Sequence, residues 1–277
     1  MSRALHARLV PARTGFRIPR QGLLFLAVPD GAISEMATRI ARMNPPAELA
    51  VVHLSGALGL DALIGVEGNP RGSFHPLQSF PTPRGPEAFR GITVAVDATT
   101  PTLMRQLRSL ARAIGAKPKQ VGDESRVLYH AAAVYASNFV DVVVAEAVRL
   151  LEQIGWSEDE ATRALMPLVE GAVANIRRRG VVGALTGPIR RGDAETVQRH
   201  IEALRNVDVP IRQGRSAAGP SSPASGEGKP SADGLYRMLG LVALGIATEA
   251  GLDLAAARRT RRALTRDVAA TRRRGRR

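Results

Sequence analysis

The sequence predicts an α/β protein in which a doubly wound parallel sheet is followed by an all-helical domain. Up to about residue 122, short continuous apolar runs alternate with amphipathic segments, as buried parallel strands alternate with crossover helices. Beyond residue 123 the strand-like runs disappear and long helix-like segments take over. The chain has 277 residues, of which 44% are hydrophobic, so it is long enough to bury a sizeable core.

Local periodicity places the individual elements. Apolar runs that end in Pro, Gly or Ser predict strands at residues 22–28, 49–53, about 72–74 and 91–96. Apolar spacing of three and four residues predicts helices at residues 32–43, 58–64, 101–114, 125–154, 157–179, 193–204 and 235–250. Pro167 is expected to kink its helix, and Asp193 is expected to cap the next one. The predicted segments are a basic N-terminal segment (1–21), a partial sheet domain (22–122), a helical domain (123–253) with an unstructured insert (211–231), and an Arg-rich tail (254–277).

The formal net charge of +14 is concentrated at the two ends of the chain. Residues 1–20 hold five Arg and no acid, residues 258–277 hold ten Arg and one Asp, and the stretch between carries equal numbers of acidic and basic groups. Nucleic-acid modules spread basic charge over the fold and, when they bind single strands, add aromatic platforms, whereas aromatic residues make up 4% of this chain. We therefore expect only weak, nonspecific polyanion binding by the tail.

Several classes are excluded by what the sequence lacks. There is no Cys, hence no disulfide, thiolate nucleophile or Cys-based metal site. The longest apolar stretches, 140–148 and 235–247, are shorter than the ~20 residues of a membrane span, so no membrane partner is expected. The first 20 residues lack an apolar run of signal-peptide length, which predicts a cytoplasmic protein. The five His lack paired metal-ligand spacing, so no metal site is predicted.

Five motifs in order carry a resemblance to a known family. They are His53-Leu-Ser-Gly56, Gly72-Ser-Phe-His-Pro-Leu-Gln-Ser-Phe80, Tyr129-His-Ala-Ala-Ala-Val-Tyr-Ala-Ser-Asn-Phe139, Pro167-Leu168, and Leu185-Thr-Gly-Pro-Ile-Arg-Arg-Gly-Asp193 with His200. Over residues 20–205 the chain resembles Rossmann-like oxidoreductases with a C-terminal helical domain of unknown function. That family is similar to pyrroline-5-carboxylate reductases and to the 6-phosphogluconate dehydrogenase superfamily. The resemblance implies an NADP- or NAD-dependent oxidoreductase with a 6-phosphogluconate-dehydrogenase-like helical domain, which forms a homodimer through that domain.

The chain departs from this pattern at the phosphate-binding turn. A Rossmann-like fold opens with a strand and a G-x-G-x-x-G turn, whose glycines let the backbone approach the pyrophosphate at a helix N-terminus. The sequence has no such motif. We therefore expect a truncated Rossmann-like sheet whose start is misassigned or lost, and poor NAD(P) binding by the chain as given. A degenerate binding protein, or supply of the missing half by another chain, are the alternatives.

Two His are expected at the carboxyl ends of strands, where doubly wound sheets place their sites. These are His53 and His75, and His is the side chain best suited to exchange a proton with a carbon-bound oxygen or nitrogen near neutral pH. The resemblance favours His75 as the catalytic one, because its His-Pro step is similar to one in prephenate dehydrogenases. Alternatively, both His only bond loop carbonyls and shape the turns.

The loops that follow the first two strands are expected to border the cofactor and the substrate. Gly56 and His53 are assigned to the cofactor, and Ser55 to the substrate, because they begin the loop after the second strand. Pro29 and Asp30 occupy the corresponding loop after the first strand and are also assigned to the cofactor.

The helical domain contributes the remaining candidates. His130 and Asn138 are eight residues apart, close to two helical turns, so they share one face of a helix and are assigned to catalysis, with buried interdomain contacts as the alternative. Thr186 and Arg191 flank a Gly-bearing turn at a helix start, which suits an anionic group of the substrate. A solvated structural turn, or a dimer contact by Arg191, His200 and Tyr129, are the alternatives for this region.

The sequence thus predicts an oxidoreductase acting on a small anionic substrate, with NADP or NAD as cofactor. Two other classes remain open. A noncatalytic small-molecule or dinucleotide-binding protein would bind ligand without turnover. A nucleic-acid-associated protein acting through the tail would show steep salt dependence.

Overall fold

The computed structural model describes residues 8–11, 16–205, 207 and 231–266. It divides into two compact units, Met1–Asp141 and Val142–Arg277, so the division comes later than the predicted boundary at residue 122. The predicted insert at 211–231 lies outside the described residues except for Ser231, as do residues 267–277 of the Arg-rich tail.

The first unit is built on a five-stranded sheet in the order β1-β2-β3-β4-β5. Its strands are β1 (Leu23–Leu26), β2 (Ala50–His53), β3 (Arg71–Pro76), β4 (Thr93–Ala98) and β5 (Lys117–Gln120). Its helices are α1 (Ile33–Ala41), α2 (Pro101–Ala113) and α3 (Asp123–Ala136), with short 3-10 helices at Asp30–Ala32, Leu60–Val66 and Pro86–Phe89. The predicted α/β class and the four predicted strands are confirmed, whereas β5 was not predicted.

The sheet is mixed, and the expectation of a wholly parallel sheet is wrong at one place. β1, β2 and β3 are parallel, but β4 pairs antiparallel with β3, with Phe74 opposite Val96. A parallel return needs a crossover of a dozen or more residues, usually a helix. Between β3 and β4 the Pro- and Gly-rich chain forms only the 3-10 helix Pro86–Phe89, so it turns back beside β3. β5 is then parallel to β4 through the crossover helix α2.

Each face of the sheet has its own core. On one face Phe74 and Val96 pack with Leu103 and Leu107 of α2. On the other face Leu26 and Val51 pack with α1 and with the 3-10 helix Leu60–Val66. Side chains alternate between faces along a strand, so Ser73 and His75 lie opposite to Phe74, on the face that α3 reaches. The first turn of α3 is anchored there, because both carboxylate oxygens of Asp123 accept from Leu60 N at 3.0 Å.

The stretch predicted as one helix over 125–154 is two helices. α3 ends at Ala136 and α4 spans Asn138–Glu152, with Ser137 between them at φ −126° and ψ −79°. By length and composition alone, the stretch Asp123–Glu152 could cross a membrane. Its most apolar 18-residue window is 6% buried. The break leaves helices of 14 and 15 residues, each shorter than the ~20 residues that a straight span needs.

The second unit is helical, as predicted, and contains α5 (Glu158–Ala184), α6 (Gly187–Arg191), α7 (Ala194–Leu204), α8 (Ala232–Glu249) and α9 (Leu254–Thr265). Asp193 caps α7 as predicted, accepting from Thr196 N at 3.0 Å. α5 contains Pro167, but its non-helical residue is Gly180, so the kink lies elsewhere than predicted.

The Arg-rich tail does not begin at residue 254. Leu254–Thr265 forms α9, which buries Ala263 and Leu264 against α7 and α8 while Arg258 and Arg259 stay exposed. The many arginines of this segment hide a pattern of apolar residues at helical spacing in the sequence. These apolar residues pack α9 against α7 and α8.

Candidate functional site

A cluster of aromatic and imidazole side chains lies where β2 and β3 end, within the first unit. His75, near the end of β3, has its Nδ1 2.8 Å from the hydroxyl of Tyr129 on α3. The two rings meet edge to face, with centroids 5.6 Å apart. The ring of His130 lies 6.2 Å from that of His75. The structure therefore brings together the two His that the sequence assigned to catalysis, and both belong to the same unit.

Gly56 lies directly against the two imidazoles. A Cβ on this residue would stand 2.7 Å from His75 Nε2 and 2.8 Å from His130 Nδ1. Both distances are far inside van der Waals contact, so only a glycine leaves room for the rings. Neither of these nitrogens has a hydrogen-bond partner among the described residues. Two free imidazole nitrogens thus converge on one glycine.

A hydrogen-bonded turn holds Gly56 in place. The hydroxyl of Ser55 donates to Asp30 Oδ2 at 2.7 Å and accepts from Ala57 N at 3.1 Å and Leu58 N at 3.0 Å. Asp30 and Ser55, predicted from two different loops, therefore meet in one network. Pro29 precedes Asp30 and is exposed, and its carbonyl accepts from Ala32 N at 2.9 Å.

His53 is buried behind this turn. Its Nε2 lies 3.2 Å from the carbonyl of Gly59, so this nitrogen carries the proton and donates it. Its Nδ1 is buried without a partner, and the side chain is fully buried. This geometry matches the alternative in which His53 shapes its loop by bonding a carbonyl.

Sequence reasoning missed two members of the cluster. Tyr129 was considered only as a dimer contact, and Arg126 was not singled out. Arg126 is fully buried and donates from Nη1 to the Ser55 carbonyl at 3.2 Å, and from Nη2 to Val121 O at 3.1 Å and to the Ser73 hydroxyl. Arg126, Tyr129 and His130 lie three and four residues apart, which is the spacing of one helical face.

Burial and positive neighbours keep His75 and His53 neutral. Desolvation, and then the proximity of His130 and Arg126, lower the pKa of His75 to about 4. Desolvation and then Arg126 lower the pKa of His53 to about 4. Burial raises the pKa of the Tyr129 phenol, so it keeps its proton. At neutral pH the cluster therefore holds a neutral imidazole beside a neutral phenol.

An open cleft of about 780 Å³ borders this cluster at Tyr129. Tyr129 lines it together with Asp97, Asp123 and Glu124, so its walls are acidic. Burial raises the pKa of Asp97. Within the described ranges no group of three or more His, Asp or Glu could hold a metal ion.

Asn138 is not brought to the cluster. The prediction that it shares a helical face with His130 is wrong, because the helix breaks at Ser137, and Asn138 is exposed. Residues eight apart share a helical face only within one continuous helix, and His130 and Asn138 lie on two separate helices.

Thr186 and Arg191 lie in the second unit and do share a cleft there. It has a volume of about 610 Å³ and is also lined by Arg190, Gly187 and Asp253. Arg190 is fixed by donating from Nη2 to the Ala250 carbonyl at 2.8 Å, whereas the side chain of Arg191 is exposed.

Comparison with known proteins gives the class of this fold. A solved structure of a protein from Thermotoga maritima has a TM-score of 0.64 and 23% identity, over 84% of this chain and 81% of that one. A protein from Bacteroides fragilis proposed to be an NADP oxidoreductase has a TM-score of 0.60 and 21% identity, over 82% and 75% of the two chains. A pyrroline carboxylate reductase from Plasmodium falciparum with NADP bound has a TM-score of 0.45 and 10% identity, over 88% and 77%.

The chain has a Rossmann-like fold, as the sequence resemblance implied. Residues 92–214 match the family described as a domain of unknown function, DUF2520. This match covers β4, β5 and the helices through α7, and it therefore includes Tyr129 and His130 but not His75. No sequence among the curated proteins matches this chain.

The described residues fit one end of a nicotinamide dinucleotide and not the other. The Ser55–Gly56 turn and His75 stand at the ends of parallel strands, where a nicotinamide ring and a substrate would meet. The 3-10 helices that follow β1 and β2 carry carboxylates in their first turns, at Asp30 and Asp61, and neither is preceded by a G-x-G-x-x-G turn that would admit a pyrophosphate. An anion is disfavoured at both of these helix starts.

Proposed function

We propose that this protein is an NAD(P)-dependent oxidoreductase in which His75 and Tyr129 move the proton that accompanies hydride transfer. The observation that carries the proposal is the 2.8 Å contact between His75 Nδ1 and the Tyr129 hydroxyl, with His75 Nε2 left free beside Gly56. The fold class supports the proposal, because the similar structure from Bacteroides fragilis is that of a protein proposed to be an NADP oxidoreductase.

The protonation states favour proton acceptance by His75. Because its pKa is about 4, the imidazole is neutral at pH 7 and one ring nitrogen carries a lone pair. If Nδ1–H donates to the Tyr129 oxygen, the lone pair lies on Nε2, the nitrogen that no described residue occupies. His75 then removes a proton from a hydroxyl or amine of the substrate, as the carbon that bears this group is oxidised by loss of a hydride to NAD(P). In the reverse direction the same nitrogen returns the proton.

Tyr129 orients the ring of His75 and keeps the free nitrogen pointed at Gly56. The phenol remains protonated, because burial raises its pKa, and it can also donate to Nδ1 in the other tautomer. In that tautomer Nε2–H is the donor, so the pair can pass a proton in either direction without a net charge in the ground state.

For the substrate we propose a small molecule with an anionic group. Thr186 and Arg191 are proposed to hold that group, supported by their common cleft with Arg190. A guanidinium pair binds a carboxylate or a phosphate with charge-assisted hydrogen bonds. Replacing Arg191 by Met should then raise KM more than it lowers kcat, and an unchanged KM would count against this assignment.

The test separates cofactor binding from proton transfer. Calorimetric titration with NADPH and NADH measures binding, and the missing pyrophosphate cradle predicts a dissociation constant weaker than about 10 μM. Turnover is then followed by the absorbance of reduced nicotinamide with NADP and a panel of α-hydroxy and α-amino acids. His75→Gln should lower kcat on the order of 10²–10⁴-fold, and Tyr129→Phe should lower it less.

One control variant and two possible outcomes decide between the alternatives. His200 and Tyr236 in the second unit form the same kind of pair, with Nδ1 and hydroxyl 2.8 Å apart, so His200→Gln should leave kcat unchanged. If His75→Gln stays folded and keeps full activity, the proposed centre is wrong. If NADPH binds but none of the panel is turned over, a noncatalytic dinucleotide-binding protein is favoured instead.

We also propose that the protein is a homodimer. Helices α3 and α4 expose apolar side chains, among them Leu128 at 77%, Val142 at 54% and Phe139 at 45%. A second copy of the chain would remove such a surface from water. Sedimentation should then show a dimer that Val142→Glu weakens, and a monomer at all concentrations would refute it.

A polyanion-binding role is the second candidate function. It is supported by α9, which exposes Arg258, Arg259, Arg261 and Arg262 and contains no acid. Binding of duplex DNA should fall steeply with salt and should be lost when these four residues are replaced by Gln. Unchanged binding in that variant would exclude α9 as the contact.

A further inference from the structure

Arg126 is an unusual residue to find at the centre of a fold. Its side chain is fully buried, and no ion pair compensates its charge within the described ranges. The carboxylates of Asp97 and Asp123 raise its pKa, but desolvation is the larger effect and lowers it. Burying a cation in this way is costly, and an apolar side chain of similar volume would cost less.

The three hydrogen bonds of Arg126 connect segments that are far apart in the sequence. They end on the carbonyl of Ser55 after β2, the hydroxyl of Ser73 within β3, and the carbonyl of Val121 after β5. Only a planar guanidinium has donors spread widely enough to reach three such acceptors at once. The side chain thus ties α3 to three segments of the sheet.

We propose that Arg126 is a positioning residue, whose guanidinium holds the Ser55–Gly56 turn against the imidazoles of His75 and His130 and supplies a fixed positive charge beside them. The Ser55 carbonyl belongs to the peptide that leads into Gly56, so the bond to Arg126 fixes the backbone at the point of closest approach. The effect of Arg126 on turnover rests on the proposed oxidoreductase function, whereas its effect on the turn and on His75 does not.

The charge of Arg126 is one of several that His75 experiences. His130 and Arg126 on α3 and His53 on β2 lower the pKa of His75, whereas Asp30 raises it. Tyr129 on α3 is a neutral partner. Removing Arg126 therefore removes a cation without removing a hydrogen bond of His75, so the two effects can be measured apart.

The experiment compares two substitutions in the full chain. Arg126→Lys keeps the charge but loses the planar arrangement of donors, and Arg126→Met loses both. Proton NMR titration of the imidazole signals, assigned with His75→Gln, reports the charge. Amide exchange at Ala57 and Leu58, which bond the Ser55 hydroxyl, reports the turn.

In Arg126→Met the midpoint of His75 should rise by about one pH unit, because a nearby like charge is gone. In Arg126→Lys the midpoint should stay near that of the wild type, while the amides of Ala57 and Leu58 exchange about tenfold faster, in line with one lost hydrogen bond. Arg112→Met, at an exposed position on α2, is the control and should change neither readout.

A folded Arg126→Met protein with an unshifted His75 midpoint would overturn the proposal, and so would wild-type exchange in Arg126→Lys. If Arg126→Met does not fold, Ser73→Ala takes its place, since it removes one acceptor and leaves the charge. It should speed exchange at Ala57, and unchanged exchange would again refute the proposal. None of these readouts needs cofactor or substrate, so a failure here is distinct from a failure of the oxidoreductase proposal, which appears in turnover.

Discussion

Replacing Gly56 by Ala is the most direct test of the geometry of the cluster. The added Cβ would stand 2.7 Å from His75 Nε2 and 2.8 Å from His130 Nδ1, whereas contacting heavy atoms prefer separations of roughly 3.5–4.0 Å. The two rings, or the turn itself, must therefore retreat by about 0.8 Å. His130 belongs to α3 and His75 contacts Tyr129 of the same helix, so moving the rings disturbs the packing of α3.

The expected cost is about 1–3 kcal/mol of unfolding free energy, the usual range for overpacking a buried site. A displacement approaching 1 Å at a catalytic group also lowers turnover by about 10²-fold. Urea denaturation measures the first effect, and the imidazole NMR signals of His75 and His130 report the displacement directly.

Gly31→Ala is the matched control, because Gly31 lies in the 3-10 helix after β1 and a Cβ there meets nothing within 4 Å. That variant should be as stable as the wild type or slightly more stable, because it reduces the entropy of the unfolded chain. If Gly56→Ala is within about 0.5 kcal/mol of Gly31→Ala, and the imidazole signals do not move, the described contact between turn and rings is wrong.

Two further predictions concern stability. Burial lowers the pKa of His53 and of His75 from 6.5 to about 4. Between these pH values the two histidines therefore bind protons in the unfolded chain but not in the folded protein. The contribution of these histidines to the unfolding free energy should therefore be complete above pH 6.5 and should be lost as the pH falls towards 4. For the fully buried His53 the loss should reach about 3 kcal/mol. Equal urea midpoints at about pH 7.5 and pH 5 would contradict this prediction. Gly192→Ala should cost about 2–4 kcal/mol, because φ is +69° and the new Cβ would lie 2.6 Å from Ala256 Cβ. Gly251→Ala is the control, because Gly251 has a φ of +86° but an added Cβ there meets nothing within 4 Å. It measures the backbone strain without the clash, so thermal denaturation should show a smaller loss of stability than for Gly192→Ala.

Local sequence patterns were sufficient where a short segment decides its own structure. The apolar run of β2 forms a buried strand and that of β1 forms a half-buried strand at the edge of the sheet, because each presents side chains to a core. Asp193 caps α7 because its carboxylate reaches an amide only three residues away. His75 was placed correctly at the end of a strand for the same reason, since the strand and its end are both visible in the local pattern.

Long-range pairing decided the rest. The direction of β4 depends on a connection without a crossover helix, and β5, Lys117–Gln120, is a polar edge strand that its own periodicity does not reveal. Tyr129 and Arg126 acquire their roles only because α3 crosses the face of the sheet that carries His75. A side chain far away in the sequence sets the charge, burial and hydrogen bonds of each group in the cluster, and therefore only the tertiary structure decides which of the predicted residues can act together.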